Sequence, residues 1–144
     1  MRSTLYETDF YGWTQQQAAL LKDGRLADLD VMNLMEEIEN MGGSERRELE
    51  SRLEILFMHL LKWKYQPSHR GKSWTLTIKE QRRKLARRLE KNPSLKRELA
   101  DMANEAYGDA ILSAARETGL DETHFPEKTP WTLEEILESD YLPE

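Results

Sequence analysis

RLEILFMHLLKW, at residues 52–63, is the stretch that decides the fold. On a helical wheel at about 100° per residue, one narrow seam runs along it, and other apolar side chains cover most of the remaining circumference. The seam consists of Leu49, Leu53, Leu56, Leu60 and Trp63. Charged residues interrupt the stretch well before the roughly 18 apolar residues that a membrane span needs. We therefore predict a central core helix, at about residues 45–65, that other helices cover.

The rest of the chain shows apolar residues at helical spacing, separated by short polar breaks. Side chains suited to N-caps precede the predicted helices: Asp9 or Thr14, Asp30, Ser44, Ser73, and Thr132 in a capping box. Residues that end helices follow the first five: Gly24, Gly42-Gly43, Gln66-Pro67, Asn92-Pro93 and Thr118-Gly119. The second helix carries an apolar stripe of Val31, Leu34, Met35, Ile38 and Met41. The fifth carries a small-sided stripe of Leu99, Met102, Ala103, Ala106, Ala110 and Ala114.

These patterns together predict the fold class. No run of the sequence alternates as a half-buried strand would. We predict an all-α fold: an antiparallel bundle of about five helices around the central helix at about 45–65, with a short C-terminal helix. A chain of 144 residues is long enough to bury a core and short enough for one domain, so we expect a single domain over residues 1–144.

Composition narrows the classes of protein. The chain has no cysteine, which excludes disulfides and thiolate metal sites. Residues 1–13 contain two acids and lack the apolar run of a signal peptide. We therefore expect a cytoplasmic protein with no membrane partner. The net charge of −6 disfavours a general nucleic-acid coat protein.

Four blocks of the sequence carry a family resemblance: YETDFYGWTQQQAALL near the start, EEIENMGGSERRELESRLEILFMHLLKWKYQP in the middle, SWTLTIKEQRRKLARRLEKNPSL after it, and FPEKTPWTLEEIL towards the end. In their order and spacing they resemble the DUF29 family of bacterial proteins. The resemblance covers nearly the whole chain and implies an all-α fold and a bacterial origin. It implies no activity and no functional residues, because the family is named for having no assigned function.

The charge distribution singles out residues 62–91. This tract contains eleven Lys or Arg and two acids, a local charge of +9, whereas residues 1–61 sum to −6 and residues 92–144 to −9. Because salt screens charges over about 8 Å, a partner at the tract would feel mainly the local charge. The tract also interleaves cations with aromatic rings, a combination that attracts phosphate and stacks bases. The candidate binding residues are Lys64, Tyr65, His69, Arg70, Lys72, Lys79, Arg83, Arg87 and Lys91.

A structural interpretation of the same tract is open. Trp63 and Trp74 would then belong to the core, and the cations would pair with acidic helices of their own chain. The exposed row Lys79, Arg83, Arg87 and Lys91 on the fourth helix separates the two interpretations, because four like charges at i, i+4 spacing need either an internal or an external acid.

Arg52 and His59 form a second candidate site, on the predicted central helix. They are seven positions apart, with six residues between them, so they lie about 20° apart on the wheel. A comparable pair occurs in helical ribonucleases of the HEPN superfamily, where imidazole acts as acid or base and arginine steadies phosphate. The structural alternative places both at the edge of the core, with Arg52 tied to a carboxylate because an unpaired buried charge is costly.

Two further types of site are excluded by spacing. A di-iron bundle site needs Glu-x-x-His pairs, and no glutamate stands three residues before a histidine. The triplet Gly71-Lys72-Ser73 resembles the end of a phosphate-binding loop, but Gln66 occupies the position of its first glycine. We therefore expect no metal and no cofactor.

The sequence is interpreted as a non-enzymatic helical module. It would bind an unidentified protein or nucleic acid through residues 62–91, with homo-oligomerisation left open. The alternative function is a metal-independent ribonuclease that uses Arg52 and His59.

Overall fold

The protein is described by a computed structural model over residues 4–144. That part of the chain contains no strand and six α-helices: α1 (Leu5–Thr8), α2 (Phe10–Lys22), α3 (Val31–Tyr65), α4 (Lys72–Lys91), α5 (Leu99–Thr118) and α6 (Leu133–Leu137). Short 3₁₀ turns lie in the connections at Leu26–Asp28, Pro67–His69, Pro93–Glu98 and Glu122–His124. The predicted all-α fold is confirmed. None of the described helices combines the length and the apolar character needed to cross a bilayer.

Helix α3 runs without a break from Val31 to Tyr65. The predicted stop at Gly42-Gly43 and the predicted N-cap at Ser44 are therefore wrong. A glycine inside a helix costs roughly 1 kcal/mol relative to alanine, which weakens a helix without ending it. Among the described glycines, positive φ angles occur at Gly24 and Gly119, just beyond α2 and at the end of α5, where the sequence predicts helix ends.

The chain divides into two compact units, Met1–Ser44 and Glu45–Glu144, here called the N-terminal and C-terminal units. The single domain over residues 1–144 stays a prediction. In the N-terminal unit, Asp9 caps α2 by accepting a hydrogen bond from the Gly12 amide at 3.0 Å.

Buried polar side chains hold α2 against the start of α3. The Asp30 carboxylate accepts hydrogen bonds from Trp13 Nε1 at 3.0 Å and from Asn33 Nδ2 at 2.8 Å, and the Asp30 amide donates to Gln17 Oε1 at 2.8 Å. All four side chains are almost completely buried. In the N-terminal unit, a polar network around the Trp13 indole thus joins α2 to the start of α3.

The C-terminal unit has a conventional apolar core. The second half of α3 contributes the four leucines of the predicted seam together with Phe57 and Leu61, whereas Trp63 of the seam is only partly buried. The four leucines are Leu49, Leu53, Leu56 and Leu60. The other helices and the last connection complete the core with Ile78, Leu85, Leu89, Leu99, Met102, Ala103, Ala106, Tyr107, Ala110, Ala114, Phe125, Trp131 and Ile136. Both the predicted central helix and the predicted small-sided stripe of α5 lie in this core.

Polar contacts fix the helix directions in this unit. Pairs joining α3 to α4 run in opposite order along the two helices, which makes them antiparallel, whereas pairs joining α3 to α5 run in the same order. The pairs are Glu45–Arg88 and Arg52–Gln81 for α4, and Arg46–Glu98 and Lys62–Glu117 for α5, where Glu98 is the N-cap of the helix. The three long segments therefore alternate in direction along the chain, as expected of a bundle with short connections.

The ends of α4 and α6 test two predicted caps. Helix α4 begins at Lys72 with Gly71 as N-cap, and its first helical hydrogen bond runs from the Thr75 amide to the Gly71 carbonyl, so the predicted cap at Ser73 is wrong. The loop closes earlier because Arg70 Nε donates to the Trp63 carbonyl at 2.6 Å, which ties the loop back to α3. The predicted capping box of α6, built from Thr132 with the glutamate three residues later, is confirmed.

Candidate functional site

Helix α4 presents two different faces. The inner face carries Ile78, Leu85 and Leu89, which are buried in the core. The outer face carries the exposed side chains of Lys79, Arg83 and Arg87, spaced four residues apart. At 1.5 Å rise per residue, successive members of this row lie roughly 6 Å apart along the helix axis. We call these three residues the basic row.

Most cations of residues 62–91 already have a partner in the chain. The pairs are Lys62 with Glu117, Lys64 with the Tyr65 ring, Arg70 with the Trp63 carbonyl and ring, Arg82 with backbone carbonyls of residues 135–139, Lys84 with Glu80, and both Arg88 and Lys91 with Glu45. Within residues 62–91, all of which the structure describes, the four cations outside these pairs are Lys72 and the basic row. Lys91, the predicted fourth member of the row, reaches Glu45 at 3.7 Å.

Two shallow cavities follow the basic row. One, of about 340 Å³, is lined by Leu76, Lys79, Glu80, Arg83, Lys84 and Arg87. The other, of about 390 Å³, is lined by Glu48, Arg52, Lys84, Arg87, Arg88 and Lys91. Because Lys84 and Arg87 line both, the cavities form one continuous surface, here called the basic groove.

The acids near the basic groove neutralise other cations. Burial opposes ionisation of Glu45, but the hydrogen bond and charge of Arg88, with smaller contributions from Lys91, hold its pKa below the usual value. The hydrogen bond from Lys84 lowers the pKa of Glu80 in the same way. Both carboxylates are therefore charged at neutral pH, and each forms its ion pairs with cations outside the basic row.

On the other side of the row, the C-terminal end supplies a further acid. Asp140 lines a separate cavity with Lys79 and Arg83, but forms no ion pair with either of them in the described structure. The basic row is thus bordered by acids without being neutralised by them.

The predicted aromatic residues at the start of the tract have contacts of their own. The Arg70 guanidinium lies over the Trp63 ring at 4.9 Å, and Lys62 lies over the Trp74 ring at 4.8 Å. The Tyr65 ring packs edge-on against Phe125. Of the other predicted loop residues, His69 and Lys72 are exposed. The structure therefore places Lys64, Tyr65, His69, Arg70 and Lys72 around the loop that precedes α4, about two helical turns or more before Lys79.

Arg52 and His59, the second candidate site, each bond to another residue. Arg52 bonds to Glu48 at 2.8–2.9 Å and reaches Gln81 at 3.4 Å, as the structural alternative expects. His59 Nδ1 lies 2.9 Å from the Ile55 carbonyl, to which its neutral ring can donate. Burial, with the nearby charge of Lys62, lowers the pKa of His59. The ribonuclease function stays a prediction.

Arg82 is the residue that the sequence reasoning did not single out. Its side chain is almost completely buried, and its Nε donates to the Ile136 carbonyl at 2.8 Å, with longer contacts to the carbonyls of Glu135 and Ser139. Desolvation lowers its pKa, against the opposing charges of Glu138 and Asp140. A signal was present, because Arg82 follows Ile78 by four residues and therefore shares the inner face of α4.

The sequence profile described as "Domain of unknown function DUF29" matches residues 5–142. No curated protein matches, and neither does any solved structure. Among the described residues, no three His, Asp or Glu side chains are grouped so as to hold a metal ion. Since the profile covers nearly every residue, the chain belongs to the DUF29 family.

Proposed function

We propose that this protein is a non-enzymatic binding module that holds an acidic macromolecular partner along the basic groove. The observation that carries the proposal is that Lys79, Arg83 and Arg87 take part in none of the ion pairs of residues 4–144, although most neighbouring cations do.

Repulsion between the like charges of the basic row favours a partner that supplies acidic groups. Like charges at i, i+4 spacing destabilise a helix by a few tenths of a kcal/mol per pair. The chain holds acids at hand in Glu45, Glu48 and Glu80, yet these serve Arg88, Arg52 and Lys84. A partner that brings its own carboxylates or phosphates would relieve the repulsion without disturbing the internal pairs.

An acidic protein segment fits better than single-stranded nucleic acid. Base stacking needs accessible rings beside the cations, and Trp63, Tyr65 and Trp74 are engaged by other side chains. The groove instead has Leu76, which is about half exposed, among its lining residues. A helix with acids at i, i+4 spacing and one apolar stripe would match both the row and this leucine.

Binding of two defined probes tests the proposal. The probes are a synthetic acidic amphipathic helix and a 20-nucleotide single-stranded RNA, each titrated at low and at physiological salt. The wild-type chain should bind the peptide more tightly than the RNA, and the affinity should fall as salt rises. The Arg83→Gln/Arg87→Gln variant should lose at least tenfold in affinity while staying as stable as the wild type.

The matched control is Lys96→Gln/Arg97→Gln, which removes the same charge from an exposed turn outside the groove. It should bind the peptide like the wild type. Equal losses in both double variants would reduce the effect to net charge, and a destabilised Arg83→Gln/Arg87→Gln variant with unchanged binding would overturn the proposal. Tighter binding of the RNA would identify the partner class as nucleic acid. Cleavage of the RNA in EDTA that stops in His59→Ala would establish the ribonuclease alternative.

A further inference from the structure

The N-terminal unit exposes an unusual amount of apolar surface. Twelve large apolar side chains are exposed in the described structure, and nine of them lie in this unit. They are Phe10, Tyr11, Leu21, Leu26, Val31, Met32, Met35, Ile38 and Met41. Within residues 4–44, the buried apolar set consists of Trp13 alone. The unit therefore contains the apolar residues of a core without enclosing them.

Four of these residues form a continuous row on the first half of α3. Val31, Met35, Ile38 and Met41 follow one another at steps of four, three and three residues, so they share one face of the helix. Each is more than half exposed. The buried side of this half of α3, marked by Asn33, faces the polar network with α2. We call the four residues the methionine row.

Such a unit is not self-sufficient. Folded segments of about 40 residues bury too little apolar surface to be stable without disulfides, metals or association. This chain has no cysteine. The methionine row with Met32 exposes on the order of 500 Å² of apolar surface, near the upper limit of what monomeric proteins show in one patch.

We propose that the methionine row is a self-association surface, on which two copies of this chain pack their α3 helices against each other. Val31, Met35 and Ile38 have the alternating steps of four and three that are typical of a two-helix seam, and Met41 lies one residue before the next seam position. Two such rows would bury roughly 1,000 Å² of apolar surface, which, with the flanking side chains, reaches the range of specific interfaces.

The charges beside the row favour a second copy over a lipid surface. Amphipathic helices that lie on membranes carry mainly Lys and Arg on their polar side. Here the neighbours of the row are Glu36, Glu37 and Glu39. Glu36 and Glu39 are exposed. In a pair of identical helices they can stay at the solvated rim of the interface.

The solution mass of the wild-type chain is the first test. Sedimentation or light scattering at 10–100 µM, a range chosen roughly to span weak dimers, should give twice the chain mass of 17.0 kDa. The melting temperature should rise with protein concentration, since association stabilises only the folded state. A monomer of 17.0 kDa throughout this range would overturn the proposal without reference to any variant.

Two single substitutions locate the surface. Ile38→Lys places a charge in the middle of the methionine row and should shift the mass to that of a monomer over the same concentration range. Leu112→Lys places the same charge on an exposed leucine of α5 and should leave the dimer intact. A dimer that survives Ile38→Lys, or that is lost equally in both variants, would show that the interface lies elsewhere.

Self-association through the methionine row should be independent of the basic groove. Arg83→Gln/Arg87→Gln should remain dimeric, and Ile38→Lys should keep its affinity for the acidic peptide. If the groove variant also became monomeric, the two copies would be held by contact between acids and the basic row, and the methionine row would not be the interface.

Discussion

The two halves of α3 share a helical spacing of apolar residues but differ in how far those residues are buried. Both carry apolar side chains at helical spacing, and both belong to the same helix, Val31–Tyr65. In the second half, Leu53, Leu56 and Leu60 are completely buried. In the first half, Ile38 and Met41 are about two-thirds exposed.

The difference shows what an apolar pattern does and does not determine. Spacing fixes that a segment is helical and which of its faces seeks an apolar partner. It does not fix where that partner is in the chain, or whether the chain contains it. In the C-terminal unit, α4 and α5 supply the partner, whereas in the N-terminal unit α2 offers Trp13 and polar side chains.

Truncation of the buried half should have the largest effect. Leu56→Ala or Leu60→Ala should lower the free energy of unfolding by about 2–5 kcal/mol, because each leaves a cavity in a packed core. Ile38→Ala, measured in dilute protein where chains are monomeric, should change it by less than about 0.5 kcal/mol, as exposed sites do. Urea melts measure both. Similar losses in the two halves would remove the contrast, and a loss under about 1 kcal/mol for both leucines would show that the central-helix assignment is wrong.

A neighbouring pair on α4 should give the next largest difference. Arg82→Met keeps the apolar stem but leaves the carbonyls at the end of α6 without their donor, which should cost about 1–3 kcal/mol. Arg83→Met, one residue along, removes a charge that has no ion pair and should be neutral within about 0.5 kcal/mol. Thermal melts of the two variants side by side make the measurement. Equal effects would mean that the buried guanidinium contributes nothing specific.

Gly42→Ala tests the continuity of α3 between its two halves. Apart from its chain neighbours and the backbone of its own helix, a Cβ atom at Gly42 would meet no atom within 4 Å, and the backbone there is helical. The substitution should therefore raise the free energy of unfolding by about 0.5–1 kcal/mol, through higher helix propensity and a less flexible unfolded chain. Gly24→Ala is the control, because φ there is 71° and alanine should destabilise it. A loss of stability in Gly42→Ala would indicate that the helix needs a glycine at this position.

The smallest expected effect is a pH dependence from His59. Burial holds the pKa of this imidazole below its ordinary value of 6.5, so the unfolded chain takes up the proton first as the pH falls. The stability that depends on the neutral ring is complete above about pH 6.5 and declines below it. His59→Asn can still donate to the Ile55 carbonyl, and should flatten the change in melting temperature between roughly pH 7 and 5. An unchanged slope would assign the acid sensitivity to other groups.

The sequence predicts the helices and core of the C-terminal unit more completely than those of the N-terminal unit. The buried seam at Leu53, Leu56 and Leu60 and the capping box at Thr132 follow from local patterns, because spacing and side-chain chemistry suffice for both. The predicted helix end at Gly42-Gly43 is wrong because a glycine lowers helix stability by only about 1 kcal/mol, which is small against the packing of a long helix. The cap at Ser73 failed because the deciding contact joins Arg70 to Trp63, on another element.

The candidate site shows the same limit. The sequence predicts a basic helix face, but it does not assign a partner to each cation. Arg82 and Arg83 are adjacent and chemically identical, and one is buried beneath α6 while the other is exposed. Likewise, Glu45 binds Arg88 across 43 residues of sequence, a pairing that only the packed bundle specifies.

Because Arg82 of α4 anchors α6, the order of this short helix depends on the position of α4. Five residues are far too few for a helix to persist alone, so the segment is ordered by its cap, its buried Ile136 and the guanidinium beneath it. Its amide hydrogens at Ile136 and Glu138, bonded to Thr132 and Glu134, should exchange with deuterium as soon as α4 withdraws. Deuterium uptake at these two amides therefore reports how often the helix that carries the basic row opens.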